Sequence, residues 1–105
     1  MRFVETTVFT RQIADLLTDD EYRDLQVALI LRPEQGTLIR GSGGLRKVRW
    51  RAKGAGKRGG LRAIYYWLRP TETFLMLFVY AKNVQDDLTR AQLKTLRRLV
   101  EKEYP

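Results

Sequence analysis

LRAIYYWLRPTETFLMLFVY, residues 61–80, holds two strand patterns and the turn between them. Leu61 to Leu68 is dense in β-branched and aromatic side chains, and Arg69-Pro70-Thr71-Glu72 has the residues of a turn. Phe74 to Tyr80 is then almost continuously apolar. A strand with one wet face alternates, so an unbroken apolar run predicts a central strand covered on both sides. At its far end Tyr80 and Lys82 should share a face as the covering runs out.

Upstream, Leu45 to Arg51 alternates, with Val48 and Trp50 on one face and Lys47, Arg49 and Arg51 on the other. The glycine-rich turn Lys53 to Gly60 joins this strand to Leu61–Leu68 as a hairpin, and both strands open on the tetrapeptide GGLR, at 43–46 and 59–62. Those glycines let backbone bend or approach closely before each strand. Earlier still, Phe3 to Phe9 reads as a short edge strand. A brief helix should follow, with Thr10 as cap and Phe9, Ile13, Leu16 and Leu17 at helical spacing. Thr18 and Glu21 form a capping box for a second helix, which Pro33 stops and which carries a broad apolar face of Tyr22, Leu25, Val27, Ala28, Leu29, Ile30 and Leu31. Thr89 and Gln92 form another box, opening a last helix with the stripe Leu93, Leu96, Leu99 and Val100. The fold class expected is α+β: a mainly antiparallel four-stranded sheet with helices packed on it, in the order β-α-α-β-β-β-α. At 105 residues the chain fits one domain.

Charge is distributed unevenly over these elements. The chain has 20 Lys+Arg and 12 Asp+Glu, net +8, and residues 35–71 hold 10 of the cations, all 8 glycines and no acid. Such a concentration attracts a polyanion. Same-face residues on a strand stand about 6.5–7 Å apart, so neighbours among Lys47, Arg49 and Arg51 repel by roughly 2 kcal/mol at an effective dielectric near 20, less in open water. A bound phosphate chain would offset that repulsion. The reading requires that these cations share a side and are not tied up one by one with carboxylates. The plainer alternative is a solvated basic face.

Other classes are narrowed by absence. No cysteine means no disulfide or thiolate metal site, and no histidine removes the usual neutral-pH acid/base. Any catalysis must use Lys, Arg, Tyr, Asp or Glu. Met1 to Phe9 lacks a signal-peptide core, and no run approaches the ~20 apolar residues that span a bilayer, so a cytoplasmic protein is expected. Gly54, Gly56 and Gly59 match G-x-G-x-x-G, but a strand and not a helix should follow, so the match is accidental. Tyr65, Tyr66 and Trp67 could stack bases, although aromatics shared between core and cross-strand pairs are the commoner arrangement.

The segments GGLRKVRW, GKRGGLRAIYYW and LFVYAKN followed by DDLT closely resemble the HigB branch of the RelE/ParE superfamily of bacterial toxins from toxin–antitoxin pairs, and FTRQI and LTDDEY extend the resemblance over nearly the whole chain. The resemblance implies a small α+β endonuclease that cuts messenger RNA in the ribosomal A site without metal or cofactor. It also implies a cognate antitoxin, expected as a helix-turn-helix protein. In such cleavage the ribose 2′-OH attacks the adjacent phosphorus in line, and the enzyme orients the chain, stabilises a dianionic phosphorane and manages two protons. By resemblance, Lys47 and Arg49 are the basic positions of the second strand, Arg62 the arginine opening the third, and Lys82 the basic position after the fourth. Arg46, Arg51, Lys53, Lys57 and Arg58 are candidates for holding RNA backbone. RelE-type enzymes often place a tyrosine after the last strand; this chain has none between Asn83 and Ala91. Tyr80 is the substitute proton acceptor, with Lys47 as the other candidate. A ParE-like gyrase poison and a non-catalytic basic RNA- or DNA-binding module are the competing readings.

Overall fold

β1 (Arg2–Glu5) leads into α1 (Thr7–Leu16) and α2 (Asp19–Leu31), followed by β2 (Thr37–Leu38), β3 (Arg46–Trp50), β4 (Leu61–Leu68), a 3-10 turn (Arg69–Thr71), β5 (Thr73–Ala81) and α3 (Arg90–Glu103). The structure, a computed structural model, describes residues 1–51 and 60–104. Among the described residues the sheet has five strands in the order β1-β5-β4-β3-β2, one more than expected. The extra strand is β2, whose two residues are too short to show an alternation. β1 lies parallel to β5, and the other pairs are antiparallel.

The start of the chain differs from the expected Phe3–Phe9 strand. Thr6, not Thr10, caps α1, accepting a hydrogen bond from Phe9 N at 3.0 Å. The β-favouring run Thr-Thr-Val-Phe loses to this cap, because a helix starting at Thr7 buries Phe9 and Ile13 together on one side. α2 begins at the expected box, with Glu21 N donating to Thr18 Oγ1 at 3.2 Å and Thr18 N to Glu21 Oε1 at 2.7 Å. Its apolar face is narrower than expected: Leu25 and Leu29 are buried, while Val27, Ile30 and Leu31 are exposed.

α1 and α2 cover one face of the sheet, packing Phe9, Ile13, Leu25 and Leu29 on Val48, Ala63, Tyr65, Phe74 and Met76. α3 covers part of the other, setting Leu96 and Val100 against Leu45, Ile64, Leu75 and Leu77. This double covering explains the unbroken apolar run of β5, an interior strand between β1 and β4. Tyr65 and Trp67 belong to the first core: the Tyr65 hydroxyl donates to Pro33 O at 2.7 Å and accepts from Gly36 N at 3.0 Å, and the Trp67 ring lies 4.5 Å from Phe74. They are not a stacking platform.

One irregularity governs the site. Along β4 and β5 the partners run Ile64↔Phe78 and then Tyr65↔Met76, so Leu77 is the extra residue of a bulge. Leu77 and Phe78 both pack in the α3-side core, Val79 returns to the opposite core, and Tyr80 faces the α3 side. Strict alternation from Phe74 would have pointed Tyr80 at α1 and α2.

Candidate active site

Three strands bring the predicted residues into one row. Arg49 on β3 is the direct partner of Arg62 on β4, and Arg62 is the direct partner of Tyr80 on β5, so the three side chains leave the same face. Lys47 stands two residues from Arg49 on that face, and Lys82 lies just past the end of β5, its backbone N–H bonded to Gly60 O at 3.0 Å. Two arginines directly opposite each other are unfavourable for the sheet itself. Arg62 is buried, and its Nη1 donates to Leu61 O at 3.2 Å. Arg49 is exposed and borders an open cleft with Gln35, Thr37, Lys47 and Val48.

The acid-free expectation fails in space. Lys47 Nζ lies 3.3 Å from Asp87 Oδ1, and Lys82 Nζ lies 3.0 Å from Asp86 Oδ1. Both carboxylates come from the segment between β5 and α3, which in the sequence reads only as the lead-in to a helix. The carboxylates are highly exposed, 72% for Asp87 and 91% for Asp86, but the Lys47 side chain is only 24% exposed; Lys82–Asp86 is the surface ion pair, of about 0–1 kcal/mol, that a phosphate can displace. Asp87 is the better anchored, since its Oδ1 also accepts from Leu88 N at 2.8 Å. That backbone bond, helped by Lys47 and Lys82, holds its carboxyl below the usual carboxylate range.

Tyr80 is buried, and its hydroxyl lies beside the Asp87 carboxylate without a hydrogen bond of ordinary geometry among the described residues. Burial raises its pKa, the charge of Asp87 raises it further, and Arg62 opposes them. The phenol therefore stays protonated and suits donation more than the acceptor role expected for it.

The remaining predicted residues separate. Arg46 lies on the opposite face and holds a loop: Nη1 donates to Glu34 O at 2.9 Å and Gly36 O at 2.8 Å, and Nη2 lies 3.3 Å from Glu34 Oε2. Its bonds tie it to the α2–β2 connection, away from the row. Arg51 is exposed just beyond β3. Lys53, Lys57 and Arg58, with the G-x-G-x-x-G match, lie outside the described residues; the element that follows is a strand, as expected. No three carboxylates among the described residues converge as a metal cage would need.

Comparison with known proteins gives a match over residues 1–104 to the family described as the RelE toxin of the RelE / RelB toxin-antitoxin system. The chain belongs to the RelE toxin family. Among solved structures, a mutant of the E. coli toxin RelE in its free state superposes with a TM-score of 0.59 at 12% identity, over 92% of this chain and 93% of that one. At that identity the likeness establishes a shared fold. This RelE-family chain thus has the α+β architecture expected of it, with the cation row on the sheet face that α3 leaves partly open. Asp86 and Asp87 are what sequence reasoning missed. The paired acids of the DDLT segment, three and two residues before the Thr89 cap, were the available signal.

Proposed function

We propose that this chain is a HigB-branch toxin, one domain over residues 1–105, that acts in the cytoplasm as a metal-independent, ribosome-dependent messenger-RNA endonuclease. The observation that carries the reading is the row Arg49–Arg62–Tyr80, with Lys47 on the same face and Lys82 just past the end of β5. Guanidinium forks match two phosphate oxygens, so Arg49 and Arg62 bind and neutralise the scissile phosphate as it becomes a dianionic phosphorane. Lys82 exchanges its exposed partner Asp86 for a phosphate oxygen, and Lys47, on Asp87, adds positive charge at the edge of the row. The antitoxin, of helix-turn-helix type, neutralises the toxin by covering this basic face, an open strand edge or α3.

The test is to add the purified protein to translating ribosomes and map transcript ends. Cuts between codons are expected; supercoiling defects with intact transcripts would replace this reading with a gyrase poison, and binding alone with a non-catalytic module. Arg49→Ala, an exposed change, should lower the cleavage rate about 10²–10³-fold with an unaltered melting temperature. Arg62→Ala should abolish cutting; unchanged activity would remove Arg62 from the site.

A further inference from the structure

A nuclease of this kind needs a proton acceptor for the 2′-hydroxyl, and the two groups offered by the sequence are poorly placed for it. Tyr80 is buried as a phenol. Lys47 is held in an ion pair at 3.3 Å, and an ion pair is made by the ammonium, which has no lone pair to accept with. The structure supplies a third group at the same spot.

We propose that Asp87 is a catalytic residue that takes the 2′-hydroxyl proton, its carboxylate set over the cation row by Lys47 and the Leu88 backbone. This deepens the nuclease reading above and rests on it. Lys47 Nζ at 3.3 Å and Leu88 N at 2.8 Å both anchor Oδ1, the buried Tyr80 hydroxyl lies beside the same carboxylate, and Oδ2 is the oxygen that neither anchor holds. The side chain is 72% exposed, so a ribose reaches it without displacing core. The charged and titratable groups around it are Lys47 from β3, Tyr80 from β5, Lys82 beyond β5, Arg62 behind Tyr80, and its neighbour Asp86. The surrounding cations keep the carboxylate ionised, at some cost in intrinsic basicity.

The segment that carries Asp87 is braced. Gln85 Nε2 donates to Asp87 O at 2.8 Å and to Gln92 Oε1, on α3, at 2.5 Å. A group fixed from its own backbone and from a helix can orient a nucleophile; a freely rotating surface aspartate cannot. In the step itself, O2′ bonds to phosphorus as its proton passes to Asp87 Oδ2. The P–O5′ bond breaks, and the leaving oxygen takes a proton from the Lys82 ammonium. The products are a 2′,3′-cyclic phosphate and a 5′-hydroxyl, and exchange with water restores both side chains.

The experiment measures single-turnover cleavage on programmed ribosomes by the wild-type chain and by Asp87→Asn, Asp87→Glu and Asp24→Asn. Binding is measured separately on ribosomes whose message carries a 2′-deoxy nucleotide at the scissile position. Asp87→Asn should lose about 10²–10⁴-fold in rate with binding and melting temperature retained. Asp87→Glu should recover much of that loss. Asp24→Asn, the same change of charge on exposed α2, should cut normally. The wild-type rate should be nearly flat from about pH 6 to 8, whereas a neutral lysine or phenolate acceptor would raise it roughly tenfold per pH unit. Asp87→Asn cutting within about twofold of wild type overturns the proposal, as does a loss of binding or stability that accounts for the loss of rate. Failure of the wild-type chain to cut at all sinks the nuclease reading on which the proposal rests.

Discussion

At residue 60 a side chain has nowhere to go. Gly60 has φ +74°, and a Cβ built on it would stand 2.4 Å from the backbone oxygen of Trp50. Gly60→Ala should therefore combine left-handed strain with a backbone clash at the end of the β3–β4 pairing, costing about 1–3 kcal/mol. Chemical denaturation checks this; a loss below about 0.5 kcal/mol would mean the strand ends separate freely. The need for close approach was legible, because GGLR opens both strands of the hairpin. The clashing atom was not, since it belongs to the paired strand. Tyr80 shows the same limit more sharply. Its place at the end of an apolar run was visible, but its neighbours Arg62 and Asp87 come from 18 residues before it and 7 after it, brought together by the sheet and the returning segment.

At the scale of elements, the two capping boxes were readable because a cap uses residues three apart and nothing distant. Thr89 Oγ1 accepts from Gln92 N at 3.1 Å, and Gln92 Oε1 accepts from Thr89 N at 2.9 Å. The same Gln92 oxygen accepts from Gln85, so the start of α3 and the Asp86–Asp87 segment are held as one unit. Thr89→Ala should cost about 1 kcal/mol of stability. It should also loosen that segment, so amide exchange at Asp87 and Leu88 should speed up while exchange in the β4–β5 centre changes only by the global loss. Exchange confined to α3 would show that the segment is held independently. The bulge at Leu77 had no such signature. Nothing in FLMLFVY marks which residue is extra, because every position is apolar and both faces are covered.

For the whole molecule, three tyrosines link folding to alkaline pH. Burial raises the pKa of Tyr22, Tyr65 and Tyr80, and in Tyr22 the hydrogen bond to Glu5 Oε2 at 2.7 Å adds to the effect. Each folded-state value lies above the unfolded one. The stabilisation is therefore complete below the ordinary phenol pKa of about 10, and it is lost as pH rises above that, where the unfolded chain ionises first. Melting temperature should fall steeply above about pH 10, and Tyr22→Phe should flatten part of the fall. An alkaline limb identical in that variant would remove Tyr22 from the linkage. The net charge of +8 at pH 7 falls toward zero as pH nears the pI of about 10.2, so self-repulsion fades over the same range and does not cause the loss.

Legible in the residues alone were α2 and α3, the hairpin, the doubly covered apolar strand and the concentration of cations, because periodicity, caps and local charge act within a few residues. The family resemblance rested on the same local motifs. The rest came from the tertiary arrangement: β2 as a fifth strand, the loop carbonyls and Glu34 that Arg46 holds, the bulge that brings Tyr80 beside Arg62, and the carboxylates that meet Lys47 and Lys82. Each depends on register or on the return path of a connecting segment. A shift of one residue in pairing reverses the face of every side chain beyond it, and local preference is indifferent to that shift.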